Sequence, residues 1–284
     1  MPNVGLRWWG WAGLTGLVGL ALAVAPLSAQ TAEEIIAKYI KTIGGMDRIQ
    51  AVTTLRRTGK FTGGGGFEAA VLQENKRPTK VREEFSLQGM TGINAYDGKT
   101  GWKIEPWQGK KDPEALSEEE MKSIVEDADF DEPLVNYRQK GNTVEYVGMD
   151  QVEGSDAYKL KVTLASGDTR YYYLDSDYYV PIRIETKRMI RGAEQEFEMS
   201  LGDYKQVAGW YLPYSIESGA KGSQDKQKIT YAKIEANVAI DDHRFEKPAG
   251  GATPGAGPEH PKKPGAPGPA SGPRVAPVRG GPER

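Results

Sequence analysis

Between Leu55 and Ala236, apolar and polar side chains alternate with a period of two, and a helical pattern at 117–128 is the one interruption. Successive residues of a strand point to opposite faces, so each alternating segment has one apolar and one wet face. Segments 55–61 and 67–74 flank the tetraglycine Gly63–Gly66, and 93–107 turns back at Asp97-Gly98; both patterns signal hairpins. Segments 80–88, 143–154, 157–167, 169–190, 194–209, 210–218 and 227–236 continue the series, with turn residues between them. The expectation is an antiparallel meander of about eleven strands. Accumulated twist makes such a sheet curl, and with one apolar face it curls around that face.

Two helices are available to fill the curl. Thr31 and Glu34 form a capping box at the head of 31–45, where Ile35, Ile36, Tyr39, Ile40 and Ile43 recur at helical spacing before Gly44-Gly45. Met46, Ile49 and Val52 suggest a further short turn. Ser117 and Glu120 form a second box ahead of a narrow apolar stripe, Met121, Ile124 and Val125. Two short helices underfill a concave face of this size, which implies a cavity for an apolar ligand. Alternation assigns to the concave side Phe61, Phe67, Val71, Phe85, Leu87, Ile93, Trp102, Ile104, Tyr158, Leu160, Val162, Ile182, Ile184, Phe197 and Met199. Arg82, Glu84, Lys159, Lys161, Arg183 and Glu198 then face outward.

The ends of the chain differ from its middle. Residues 1–29 read as a cleavable export signal: Arg7, an apolar run at 11–25, then Pro26 and small residues up to Ala29. The chain has no cysteine, which excludes a lipidated N-terminus, disulfides and thiolate metal sites. Export without lipidation points to the periplasm of a Gram-negative bacterium, or to secretion. From Pro248 onward the 37 residues hold ten Pro and nine Gly, a composition that buries no core and is read as a disordered tail, 248–284. One domain remains, 30–247, and a net charge of −2 gives no sign of nucleic-acid binding.

Catalytic chemistry finds little support. The 30–247 segment holds one histidine, His243, and no G-x-S-x-G elbow. The segment "EDADFDEPLVNY" at 126–137 spaces Asp127, Asp129 and Asp131 like the opening of a calcium loop, but the sixth and twelfth positions are Glu132 and Arg138 instead of Gly and Glu. No metal, no cofactor and no enzymatic activity are expected. Phe130, Pro133, Leu134, Val135 and Tyr137 interleave with these acids, as in a segment with its apolar side on a barrel mouth and its carboxylates in water.

The segments "AYDGKTGWKI" (95–104) and "DADFDEPLVNYRQKGNTVEYVGMDQVEGSDAYKLKVTLASGDTRYYYLDSDYYVPIR" (127–183) resemble periplasmic outer-membrane lipoprotein-sorting proteins of the LolA-like superfamily, which includes the carrier LolA and the receptor LolB. The motifs are D-G-K-x-G-W, D-F-D-x-P-L, V-E-G-x-x-A-Y-K-L and Y-Y-L-D, and the similarity covers most of 31–247. The resemblance implies a mainly β fold with α: a curved antiparallel sheet forming an incomplete β-barrel, with short helices over its concave face. It implies a soluble carrier that binds lipoprotein acyl chains or another lipid, working with an inner-membrane release complex and an outer-membrane acceptor, and probable monomeric behaviour is the matching expectation. The alternative is a non-enzymatic interaction module whose barrel is filled. A lid is implied at 117–137, carrying Met121, Ile124, Val125, Phe130 and Leu134, with its acids facing solvent. In the carrier a strand arginine latches the lid, and Arg56 and Arg57 on the first strand are the candidates here. The Pro/Gly tail is not part of the family pattern.

Overall fold

A computed structural model describes residues 30–248 except 130 and 191. The expected export signal and nearly all of the expected tail lie outside these residues, as does Phe130. Helix α1 (Ala32–Thr42) carries the Thr31/Glu34 capping box and buries Ile35, Ile36 and Tyr39. A single turn, α2 (Met46–Ala51), follows and buries Ile49. Helix α3 (Glu118–Asp127) opens on the Ser117/Glu120 box. Both capping boxes satisfy otherwise orphaned backbone donors at the helix starts.

Thirteen strands make one sheet. They are β1 (Thr54–Thr62), β2 (Glu68–Lys76), β3 (Lys80–Leu87), β4 (Met90–Tyr96), β5 (Gly101–Glu105), β6 (Lys110–Ala115), β7 (Thr143–Val152), β8 (Ser155–Thr163), β9 (Thr169–Asp175), β10 (Pro181–Ile190), β11 (Ala193–Val207), β12 (Trp210–Ala220) and β13 (Gln227–Ala236). Their order is β6-β5-β4-β3-β2-β1-β13-β12-β11-β10-β9-β8-β7, and every pairing is antiparallel. β6 and β7 are the two edges, so the barrel is incomplete. The strand the alternation does not signal is β6, whose "KKDPEA" is charged and contains Pro113, residues suited to an edge. Gly59 sits at a register shift against β13, where a side chain would meet the Thr230 carbonyl.

The concave face is filled unevenly. Over β7–β13, the side chains of α1 and α2 pack with Leu55, Leu134, Val135, Leu160, Val162, Tyr172, Leu174, Ile184, Trp210, Leu212 and Ile234 into one buried core. Over β1–β5 the one α-helix among the described residues is α3, whose Ile124 and Ala128 pack on Val81.

The convex face of β2–β5 is not simply wet. After β13 the chain crosses it: Lys76 donates to the Ile240 carbonyl (2.9 Å), Arg82 to that of Arg244 (2.8 Å), and the Trp102 indole to that of Phe245 (2.8 Å). Register places Ile93 opposite Glu84 and Ile104, and Ala95 opposite Arg82 and Trp102. Ile93, Trp102 and Ile104 therefore lie on the outer face with Arg82 and Glu84, not on the concave side that alternation assigned them. An outer apolar patch exists because a distant segment of the chain covers that face, so polarity no longer marks which side is in. Ile182 departs for another reason. A register shift between Pro181 and Arg183 turns it to the outer cluster of Val152, Ala157 and Tyr173.

Candidate functional site

The unfilled half of the concave face holds a cavity of about 340 Å³. Strand register puts Phe61, Val71 and Phe85 on this face, and Ile229 pairs with Phe61. Phe85 meets Phe61 edge-on at 5.0 Å and Trp107 at 6.0 Å between ring centres, and Phe67 closes the group from the β1–β2 turn. Trp107 lies directly over Gly92, where no side chain would fit beneath the ring. Phe67 and Trp107 stay 39% and 44% exposed, so the aromatic end of the cavity is its open rim.

Next to this apolar row runs a polar one, Arg57, Gln73, Glu83, Asn94 and Lys103, in direct register across β1–β5. Arg57 donates to Gln73 (3.1 Å) and Asn75 (2.6 Å), Tyr231 donates to Gln73 (3.3 Å), and the Gln73 amide donates to Glu83 (3.0 Å). Burial raises the Glu83 carboxyl above the ordinary range, against the Gln73 bond and the Arg57 charge, which lower it. Asp127 is raised well above its ordinary value by burial first and by the Glu83 charge second, and Glu132 is raised chiefly by burial. Asp127, which feels the Glu83 charge in the concave hollow, and Glu132 both keep solvent-accessible surface.

Helix α3 spans that hollow. On one wing Ile124 and Ala128 rest on Val81 with Tyr96 and Met121 beside them, Asn75 donates to the Asp127 carbonyl (3.1 Å), and Lys103 donates to Glu120 (2.6 Å). On the other wing Glu126 is held by Arg170 of β9 and Arg188 of β10, and Arg188 also donates to Ser123 (3.1 Å). The helix thus ties β2–β5 to β9–β10 across the mouth of the open barrel.

The expected lid residues divide accordingly. Ile124 and Leu134 are buried, Met121 is half-buried, and Val125 points outward at 43% exposure. The buried stripe is 121–124–128, and Val125, about 100° round the helix from Ile124, falls outside it. Of the expected latch residues, Arg56 is on the outer face bound to Glu74 (2.8 Å), and Arg57 reaches α3 only through Asn75. The arginines that hold the helix are Arg170 and Arg188. Their signal was present in "TRYYYLD" and "ETKRMI", where each occupies an apolar-parity position of a strand, but only register identifies their partner.

The acids of 126–132 divide. Glu126 is in the latch, Asp129 binds Lys140 (2.6 Å) and Asp131 binds Arg77 (2.5 Å), so these three are engaged by cations, whereas Asp127 and Glu132 are exposed, as expected. The remaining expected cavity residues are spread out. Leu160, Val162 and Ile184 are in the packed core, with Tyr158 and Met199 against it. Phe197, opposite Thr186, and Leu87, at the end of β3, are half-buried. Of the set, Phe61, Val71 and Phe85 meet around the slot with Phe67 packed on their rings, and Ile93 and Ile104 border it from strands whose side chains lie on the outer face; Trp107 and Ile229 also line it, and the sequence reading did not include them.

No protein-family model matches the sequence, and no curated protein matches it. Solved structures do. A DUF1329 family protein from Desulfovibrio piger superposes with a TM-score of 0.53 at 11% identity, covering 77% of this chain and 98% of that one. A LolA superfamily protein from Nitrosomonas europaea gives 0.52 at 13% identity, covering 77% and 99%. The fold is LolA-like. A domain assigned to outer-membrane lipoprotein sorting from Vibrio parahaemolyticus agrees, with 0.53 at 14% identity over 75% of this chain and 95% of that one. At these identities the likeness to LolA-like structures is one of fold.

Proposed function

We propose that this protein is a non-enzymatic periplasmic carrier that shelters an acyl chain, of a lipoprotein or of another lipid, in the aromatic slot of its concave face. The observation that carries this reading is the half-filled barrel. One wing is packed solid around α1, while the other keeps an open-ended apolar slot beside a helix tied at both ends by polar contacts. An acyl chain in water loses about 0.8 kcal/mol for every methylene left exposed, so a carrier needs an apolar enclosure. It must also let go, and a lid held by a few ion pairs and one narrow apolar stripe opens at less cost than a core. Handover from an inner-membrane release complex to an outer-membrane acceptor, by a monomer, completes the reading.

The alternative, an interaction module with a filled barrel, draws support from the α1 wing, but the open slot over β1–β5 weighs against it. The test is binding of a neutral apolar fluorophore that brightens when enclosed. The carrier reading expects saturable binding to the full mature chain and its loss in Phe85→Asp, which places a carboxylate in the slot. Absence of saturable binding by the unmodified protein would refute the reading.

A further inference from the structure

We infer that the slot takes its ligand with a positively charged, hydrogen-bond-donating head turned inward, as in a long-chain primary amine or an amino-bearing lipid. This rests on the reading of the slot as an acyl-chain site and concerns what lies at its inner end.

The wall of the cavity is chemically one-sided. Its apolar part, Phe61, Val71, Phe85, Trp107 and Ile229, leads from the open rim. Its polar part consists of Gln73, Asn94, Glu83 and Glu105, with the Tyr231 hydroxyl, and no Lys or Arg is among the described lining residues. Glu84 also borders the cavity through its strand, but its carboxylate is turned to the outer face, where Arg82 and Arg244 bind it. The nearest cations are already engaged. Lys103 sits between Glu105 (3.1 Å) and Glu120 (2.6 Å), and Arg57 donates to two amide oxygens.

Glu84 binds Arg82 and Arg244 and Glu105 binds Lys103, so among the described lining carboxylates Glu83 is the one with no cation bonded to it. Its one hydrogen-bond donor is the neutral Gln73 amide, which leaves most of its acceptor capacity facing the cavity. Behind it, Arg57 and Tyr231 both donate to the Gln73 oxygen and so polarise the amide that points at Glu83. An ammonium at the inner end of the slot would gain a charge-assisted bond from Glu83 and find a further acceptor in the Asn94 amide. A carboxylate or phosphate there would meet Glu83 and Glu105 with no free cation to answer it. An anionic lipid must therefore leave its head at the rim, whereas an amine can bury its own.

Competition among chains of one length and different heads tests this. The neutral fluorophore is bound to the full mature chain and displaced by decylamine, decanol or decanoate below their aggregation thresholds. The expected result is displacement by decylamine at about tenfold lower concentration than by decanol, a margin of roughly 1.4 kcal/mol, with decanoate weakest. In Glu83→Gln the amine and the alcohol should converge. Equal displacement by all three in the unmodified protein, or a preference for decanoate, overturns the inward head and leaves the acyl-chain site standing. A preference for decylamine that survives Glu83→Gln overturns the role of Glu83. Failure of all three to displace a fluorophore that does bind overturns the chain site itself, and the inference with it.

Discussion

Replacing Glu83 with Gln removes a charge that the folded chain disfavours. Burial raises the folded carboxyl above its ordinary value of 4.5, so the folded state binds this proton more tightly than the unfolded state does. The stability it supplies is complete below 4.5 and is lost as the pH rises through the raised folded value. Gln cannot ionise and keeps an acceptor for Gln73, so Glu83→Gln should melt higher than the parent at neutral pH. The gain should vanish in acid. A melting temperature that falls at neutral pH contradicts this account of Glu83. Glu126 is the opposite case, a carboxylate shared by two arginines. Glu126→Gln should weaken the α3 anchorage by about 1–3 kcal/mol, the worth of charge-assisted bonds, seen as faster amide exchange at 118–127. Unchanged exchange there would mean that the arginines do not hold the helix. The sequence revealed each of these residue types but not their roles. Arg170, Arg188 and Glu126 lie far apart in the chain, and nothing local distinguishes a latch arginine from Arg56, which faces the other side of its strand.

At the scale of the elements, local signals were strong where the physics is local. Both capping boxes, the Asp97-Gly98 turn and the tetraglycine hairpin stand where the sequence puts them. The signals failed where a face is decided by something remote. Ile93, Trp102 and Ile104 alternate as core residues because they are buried, yet the C-terminal segment and not the concave hollow is on their side of the sheet. Helix α3 offers a direct test of which stripe faces inward. Ile124 is 4% exposed and Val125 43%. Ile124→Ala should destabilise the helix by about 2–4 kcal/mol, the usual loss for a buried aliphatic, and Val125→Ala by about 0.5 kcal/mol or less. In hydrogen exchange the Ile124 variant should lose protection at 118–127 before 157–163, because α3 bonds to the sheet through side chains while the strands bond to each other. Simultaneous loss in both regions would make α3 part of the core and deny it the role of a lid.

For the whole molecule, the outer strap seals the convex face of β2–β5. Glu74 is buried and shared by Arg56 and Arg244, and Phe245 is fully buried. A chain ending at residue 237 leaves that carboxylate half-paired and uncovers Trp102, and should be less stable than one ending at 248 by about 3–5 kcal/mol in denaturant unfolding. Equal midpoints would show that the strap contributes nothing. The general shape of the molecule, a curled antiparallel sheet short of helical filling, followed from period and twist alone. Which half stays open did not, since it depends on where α1 docks, and that is settled by contacts between the first helix and the last strands. The central claim is that the open half holds an apolar chain. Native mass spectrometry of the protein purified from cells that make the full chain tests it most directly. The account predicts an added mass that matches a lipid or acylated peptide, released by Phe85→Asp, and a clean unliganded mass in the unmodified protein, before and after incubation with alkyl-chain ligands, would contradict it.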